Sequence, residues 1–216
     1  AIGFDATSVP ALTDYAAGKG RPKGPQPAGE DVPSAPAAIG REDMGRFISD
    51  DVKIIDRINP KAQYGRSATA SSEPFQGIVL HHTGSENPED AIKYGHGVDE
   101  KRGGSFGYHF YIDKSGKIYQ GAPMDKRTNH VKPPTESARK DATGLSNSNA
   151  IGISLLGSGN DETPAQLAAA KALVRSLEAT YSIPGNRIVG HSDLQNDKES
   201  FEGQAALKAI RGEIQT

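Results

Sequence analysis

The chain has 216 residues, no cysteine and a formal net charge of −2 at pH 7. Its length suits one domain of about 150 residues with an extension. The small net charge favours neither nucleic acid nor an acidic membrane as a partner, no apolar run reaches the roughly 18 residues of a membrane span, and the lack of cysteine excludes disulfides and thiolate metal ligands.

The N-terminal part of the chain differs in composition from the rest. Residues 1–40 hold six of the fourteen prolines. Such a segment buries too little apolar surface to offset its ordering entropy, so we expect an extended arm. Apolar positions within residues 41–59 are spaced as in one or two short helical turns that end at Pro60. We therefore predict a Pro-, Gly- and Ala-rich arm and linker with a short helical segment over 1–70, and a functional domain over 71–216.

From Gln76 onward, strands alternate with helices in the hydrophobic pattern. This order predicts an α/β fold in which helices flank a mixed central β-sheet. The predicted elements are a strand over 76–81, a helix over 88–99, a hairpin of strands 108–113 and 117–120, a strand over 150–156, a helix that begins at Thr163-Pro164, a strand over 187–190 and a helix over 202–214.

Two histidine clusters lie at the ends of predicted buried strands. His81 and His82 end one strand, and His191 follows another. A histidine in that place can direct one ring nitrogen into a cleft as a metal ligand. For either cluster alone, the alternative is a buried histidine with a structural role. Alternation along the strand points His82 away from the side that His81 faces.

Further motifs between these clusters make the pattern specific. The motifs are Gly77-Ile-Val-Leu-His-His-Thr-Gly84, Gly107-Tyr-His-Phe-Tyr-Ile-Asp113 with Gly116-Lys-Ile-Tyr-Gln-Gly121, Asn129-His130, Asn149-Ala-Ile-Gly-Ile-Ser-Leu-Leu-Gly157 and Gly190-His-Ser-Asp-Leu194. With these motifs the chain resembles the zinc-dependent N-acetylmuramoyl-L-alanine amidase family (type 2), which shares its fold with peptidoglycan recognition proteins and includes phage endolysins and bacterial autolysins.

The resemblance runs in family order through residues 76–214, and it implies an activity. We expect a zinc amidase domain that cleaves the amide bond between N-acetylmuramic acid and L-alanine of the peptidoglycan stem peptide. Such an enzyme acts at the bacterial cell wall, as a secreted, periplasmic or virion-associated protein. The resemblance further implies that His81 and His191 bind zinc, that Tyr108 lies beside the metal, and that Lys198 supports the developing oxyanion.

The third zinc ligand is where the sequence departs from the family. Family members carry cysteine or aspartate two residues after the lysine, and this chain has Ser200 there. We favour Glu202, because it directly precedes a glycine, as the ligand loop of the family ends in glycine. Asp197 and Glu199 are the alternatives. If Lys198 faces the cleft in an extended loop, however, Glu199 faces away.

Four other positions match family motifs. Ser154 stands where some members carry a glutamate as general base, which leaves Tyr108 and Lys198 as the groups that handle protons and charge. His130 resembles a histidine of the substrate groove, with a plain loop residue as the alternative. Asn149 is expected either to bind substrate or to cap a strand, and His109 is expected in the core or behind the metal ligands.

Two other classes of function fit the same residues. A catalytically silent module that binds peptidoglycan would have this fold without a complete zinc site. An amidase domain carried on an anchor, as in a phage tail, would explain the N-terminal arm. Zinc content, together with release of muramic acid from peptide, separates an enzyme from a binder.

Overall fold

The computed structural model describes residues 45–59, 75–102, 107–132 and 143–213, without the side chains of 96–102. Much of the predicted N-terminal arm therefore lies outside the described residues. Among the described residues, no helix combines the length and the apolar character that crossing a membrane requires.

A six-stranded mixed sheet forms the centre of the fold, in the order β1-β4-β3-β5-β2-β6. Among these strands only β3 and β4 pair antiparallel, and they form the predicted hairpin; the other neighbours are parallel. The strands are β1 (Ile54–Asp56), β2 (Gly77–His82), β3 (Phe110–Ile112), β4 (Ile118–Gln120), β5 (Ala150–Leu155) and β6 (Ile188–Gly190).

The helices follow the predicted order. They are α1 (Pro88–Arg102), α2 (Pro164–Tyr181), α3 (His191–Leu194) and α4 (Gln204–Arg211), with a 3-10 turn at Gly185–Arg187. Helix α2 begins where the sequence indicates, because Thr163 and Gln166 form a reciprocal capping box. The mixed sheet with flanking helices confirms the predicted α/β class. Helix α3 was not predicted, and α4 is shorter than predicted.

The two faces of the sheet have different roles. On one face Ile78 and Leu80 of β2 belong to the main hydrophobic core, with buried residues of α2 and α4. The alternating residues Val79 and His81 therefore lie on the opposite face. There Val79 belongs to a second, smaller apolar cluster with Val131. This second face is the one on which polar groups collect.

The helical segment predicted within residues 41–59 is wrong for the described residues 45–59, which contain no helix. Instead, β1 pairs in parallel with β4, and Phe47 and Val52 are part of the main core. The Phe47 backbone N–H donates to Gln120 Oε1 at 2.8 Å. The partners lie more than 60 residues away, so local apolar spacing could not reveal this edge strand. The sheet thus includes a strand from the predicted arm and linker.

Candidate metal centre

Parallel strands bring three polar side chains to one edge of the sheet. His81 lies near the end of β2, and Ser154 is its register partner on β5. His191 directly follows β6. Parallel α/β sheets place ligand sites at the carboxyl ends of their strands. The topology therefore brings together two histidines that lie 110 positions apart in the sequence.

Gly203 explains how Glu202 reaches the same edge. Its φ is +82°, and an added Cβ would overlap the Leu80 carbonyl oxygen and lie 2.9 Å from Gly190 Cα. Only glycine fits there without strain. Leu80 and Gly190 directly precede His81 and His191. The backbone segments that carry the three side chains are therefore in contact with one another.

The three side chains meet at short distances. His81 Nδ1 lies 2.8 Å from His191 Nδ1 and 3.4 Å from Glu202 Oε1, and His191 Nδ1 lies 2.8 Å from the same oxygen. All three residues are buried. Within the part of the chain that is described, they form the one group of histidine and carboxylate side chains that could hold a metal ion.

The charges of these groups favour a cation between them. Burial, and then the charge of His191, lowers the pKa of His81 to about 3, so this ring is neutral at pH 7. Burial alone would raise the pKa of Glu202, but the adjacent His191 and His81 rings hold it below its usual range. A carboxylate and a neutral ring thus point lone pairs at one position. A metal ion between them would satisfy these groups, and two histidines with one carboxylate match a catalytic zinc site.

Tyr108 and Lys198 lie beside this cluster. The Tyr108 ring centroid is 4.8 Å from that of His81. Burial, and then the Glu202 carboxylate, raises the pKa of Tyr108, so its phenol stays neutral and keeps a proton that it can donate in a hydrogen bond. Lys198 Nζ lies 4.0 Å from Glu202 Oε2. The structure therefore places both predicted catalytic side chains next to the candidate ligands.

The alternative third ligands point elsewhere. Glu199 Oε2 lies 3.6 Å from His82 Nε2, on a side chain that is 64% exposed. Asp197 pairs with Lys132 at 2.5 Å, and Ser200 is exposed. Of these four side chains, Glu202 is therefore the one with an oxygen atom in the histidine cluster.

The two predicted substrate-binding residues take structural positions. His130 is buried, and both of its ring nitrogens contact protein atoms, so neither is left for substrate. Asn149 Oδ1 accepts the Ser146 backbone N–H at 2.7 Å and ends the turn before β5. It precedes Ser154 by five residues, or roughly 16 Å along a strand. For His130 this geometry does not agree with a place in the substrate groove, and for Asn149 it favours the alternative of capping a strand over substrate binding.

His109 is a core residue with a defined tautomer. Its Nδ1 accepts the Gly152 backbone N–H at 3.1 Å, so Nε2 carries the proton and donates to the Lys126 carbonyl at 2.9 Å. Burial lowers the pKa of His109 to about 4. The neutral ring therefore links the backbone of β5 to that of Lys126, and it is not one of the candidate metal ligands.

His109 should make stability depend on pH. Its pKa is about 4 in the folded protein against 6.5 when solvated, so the unfolded chain binds the extra proton first as pH falls. The contribution is complete above pH 6.5 and is lost between pH 6.5 and 4, at about 1.4 kcal/mol for each pH unit. The free energy of unfolding, measured with urea at several pH values across this range, should depend less steeply on pH in His109→Asn. The difference in slope should correspond to one proton. An identical slope in both proteins would contradict this role.

A cleft of about 500 Å³ opens beside the cluster. Tyr108 and Tyr111 line this cleft, together with Asp90 and Tyr94 of α1. Gly95 and Gly107 leave room for the Tyr111 hydroxyl, which a Cβ at either position would approach to 2.6 Å. The volume falls in the range of small-ligand and peptide sites. Since Tyr108 lines the cleft and its ring also lies against His81, the cleft adjoins the candidate metal centre.

A family model described as N-acetylmuramoyl-L-alanine amidase matches residues 71–202. The chain belongs to this family. The matched segment contains His81, Tyr108, His191 and Glu202, so the candidate metal centre lies within the amidase region. No curated protein sequence matches the chain.

Solved structures of similar fold agree with this family membership. N-acetylmuramoyl-L-alanine amidase LysC from Clostridium intestinale URNW is 29% identical, with a TM-score of 0.52 over 74% of this chain and 97% of that chain. A mutant endolysin from Bacillus subtilis is 21% identical, with a TM-score of 0.51 over 74% and 99% of the two chains. Drosophila PGRP-LB is 20% identical, with a TM-score of 0.52 over 74% and 92%. The latter two likenesses show the shared fold alone.

Sequence reasoning missed Gln195 and Asn147 of the amidase. Gln195 is fully buried, and its Oε1 lies 2.5 Å from His191 Nε2. Its position four residues after His191 is the signal that could have found it, because residues so spaced are neighbours on a helical turn. Asn147 Oδ1 accepts the backbone N–H groups of His130 and Val131 at 2.9 and 2.7 Å. No local sequence pattern points to that contact.

Proposed function

We propose that the protein is a zinc-dependent N-acetylmuramoyl-L-alanine amidase of peptidoglycan, with His81, His191 and Glu202 as zinc ligands. The observation that carries this proposal is the convergence of these three side chains, 2.8 to 3.4 Å apart, beside a cleft. A binding module without catalysis has no need for a buried carboxylate at the third position. Family membership supports the choice of the bond that is cleaved.

The residues around the proposed zinc site have different roles in the reaction. A zinc ion held by these residues would act as a Lewis acid and would supply a water activated near neutral pH. The Lys198 ammonium, 4.0 Å from Glu202, is placed to stabilise negative charge that develops on the lactyl carbonyl oxygen. The neutral Tyr108 phenol donates a hydrogen bond to the reacting amide. Ser154, at the position of a glutamate in some relatives, lacks the basicity of a carboxylate.

The cleft supplies room for the substrate next to these groups. Its lining includes Tyr94 and Tyr108, whose rings offer apolar surface to the stem peptide, and the polar residues Ser85, Asp90 and Asn129. We infer that the peptide lies along α1 and that the muramic acid lies toward the zinc ligands. The catalytic residues then all fall within the proposed amidase domain of residues 71–216. An enzyme with this substrate acts at the bacterial cell wall.

Digestion of purified sacculi tests the function. Amide cleavage should release free L-alanine amino groups, measured by dinitrophenyl labelling, without new reducing sugar ends. Stringent removal of metal should abolish release, and added zinc should restore it, because the ligands and the open position belong to one ion. Undiminished release from metal-free protein would end the zinc proposal.

Two other outcomes would identify a different function. New reducing ends without free alanine would indicate a glycosidase. Retention of the protein on sacculi without any release, by a protein that has bound zinc, would indicate the silent binding module.

A further inference from the structure

The ring of His81 is held by a second histidine. His81 Nε2 lies 3.0 Å from His130 Nδ1, and His130 Nε2 lies 3.2 Å from the Ala150 carbonyl oxygen. A carbonyl oxygen only accepts, so Nε2 is the nitrogen of the His130 ring that carries a proton. Its Nδ1 is then an acceptor, and the proton of His81 belongs on Nε2. This arrangement leaves His81 Nδ1 with a free lone pair toward Glu202.

The ring of His191 is held by an amide whose orientation is defined. Gln195 Oε1 lies 2.5 Å from His191 Nε2 and also accepts the Lys132 backbone N–H at 3.2 Å. Gln195 Nε2 donates to the Lys132 carbonyl at 3.2 Å. These two backbone groups determine which end of the amide is oxygen. The oxygen accepts a proton from His191 Nε2, and Nδ1 again faces the cluster.

Both arrangements depend on one short segment, residues 130–132. The His130 ring of this segment contacts His81. The Lys132 backbone holds the Gln195 amide, which in turn contacts His191. The Asn147 side chain anchors the segment, since it accepts two backbone N–H groups and donates to the Val131 carbonyl at 2.8 Å. Gly152 lies under the His130 ring, and a Cβ there would lie 2.8 Å from His130 Cγ.

We propose that His130 and Gln195 are positioning residues that hold both histidine ligands in the tautomer whose Nδ1 faces the metal, and that segment 130–132 couples them. The physical reason is that a metal requires an unprotonated ring nitrogen in a defined direction. A partner that accepts from the opposite nitrogen selects that tautomer before the metal binds. This inference rests on the zinc site proposed above.

The metal-free wild-type protein provides the first test. Nitrogen-15 correlation spectra of its imidazoles should show the proton of His81 on Nε2. A proton on Nδ1 of His81 would overturn the proposal, and this measurement requires no variant to fold.

Zinc affinity, measured by competition with a chromophoric chelator, provides the second test. His130→Leu and Gln195→Leu should each bind zinc about 10- to 100-fold more weakly, as losses of such outer contacts do. His130→Asn and Gln195→Glu retain an oxygen that accepts from the ligand, so they should recover most of the affinity. Gly152→Ala should weaken zinc binding in the same direction, because it displaces the His130 ring but removes no polar group.

His82→Asn is the matched control, since His82 stacks on Phe201 with ring centroids 5.8 Å apart and lies outside the cluster. Its zinc affinity should equal that of the wild type. If the wild type binds zinc and both leucine variants bind it equally well, the positioning role is wrong and the proposed activity stands. If the wild type binds no zinc, the metal site and this inference both fail.

Discussion

Replacing Glu202 by alanine should weaken zinc binding by about 100-fold or more, and peptidoglycan hydrolysis should fall at least as far. Loss of contacts behind a metal ligand already costs about 10- to 100-fold, and Glu202 supplies a ligand atom itself. Its Oε1 lies 2.8 Å from His191 Nδ1 and the side chain is buried, so truncation removes the carboxylate from within the cluster. Chelator competition and release of free alanine amino groups measure the two effects.

Glu199→Ala is the control for this prediction. It removes a carboxylate from the same loop, but that carboxylate lies 3.6 Å from His82 and is largely exposed. Zinc affinity and activity should stay within about twofold of the wild type, as for most exposed substitutions. A larger loss in Glu199→Ala than in Glu202→Ala would assign the third ligand to Glu199 and would leave the amidase activity itself in place.

Phe47→Ala should destabilise the fold by about 3 to 5 kcal/mol, the usual cost of removing a buried phenylalanine side chain. Phe47 is 5% exposed, and its ring lies 5.8 Å from that of Phe110 on β3 and 6.2 Å from that of Tyr181 on α2. It therefore joins the sheet to the longest described helix. Urea unfolding at pH 7.5 should show a lower midpoint with a similar slope.

Ile48→Ala is the matched control for Phe47→Ala. Ile48 is the next residue, and it is 62% exposed, so its truncation should change stability by no more than about 0.5 kcal/mol. Equal stability of the two variants would mean that the Phe47 side chain does not stabilise the core. A truncation up to residue 60 would remove Phe47, Val52 and β1 together, and we expect it to lower stability as well.

Local patterns sufficed for most of the fold. Short apolar runs located strand β2, which carries His81, and strand β6, which His191 directly follows, and the Thr163-Pro164 start of α2 follows from capping chemistry. These signals lie within a few residues of one another, so the sequence displays them directly. For residues 45–59, however, the apolar spacing led to a wrong prediction of helix. There the structure of the segment depends on β4, which is its neighbour in space and not in the chain.

The sequence by itself determined the α/β class, the family and the two histidines, because each is expressed in a short motif. Only the tertiary structure decided which groups surround them. Glu202 enters the cluster because Gly203 packs against the residues that precede both histidines. His130 turns inward because Gly152 leaves room for its ring, and Asn149 lies at the far end of β5. Side-chain direction at these positions depends on close contacts between distant segments, and no local period encodes such contacts.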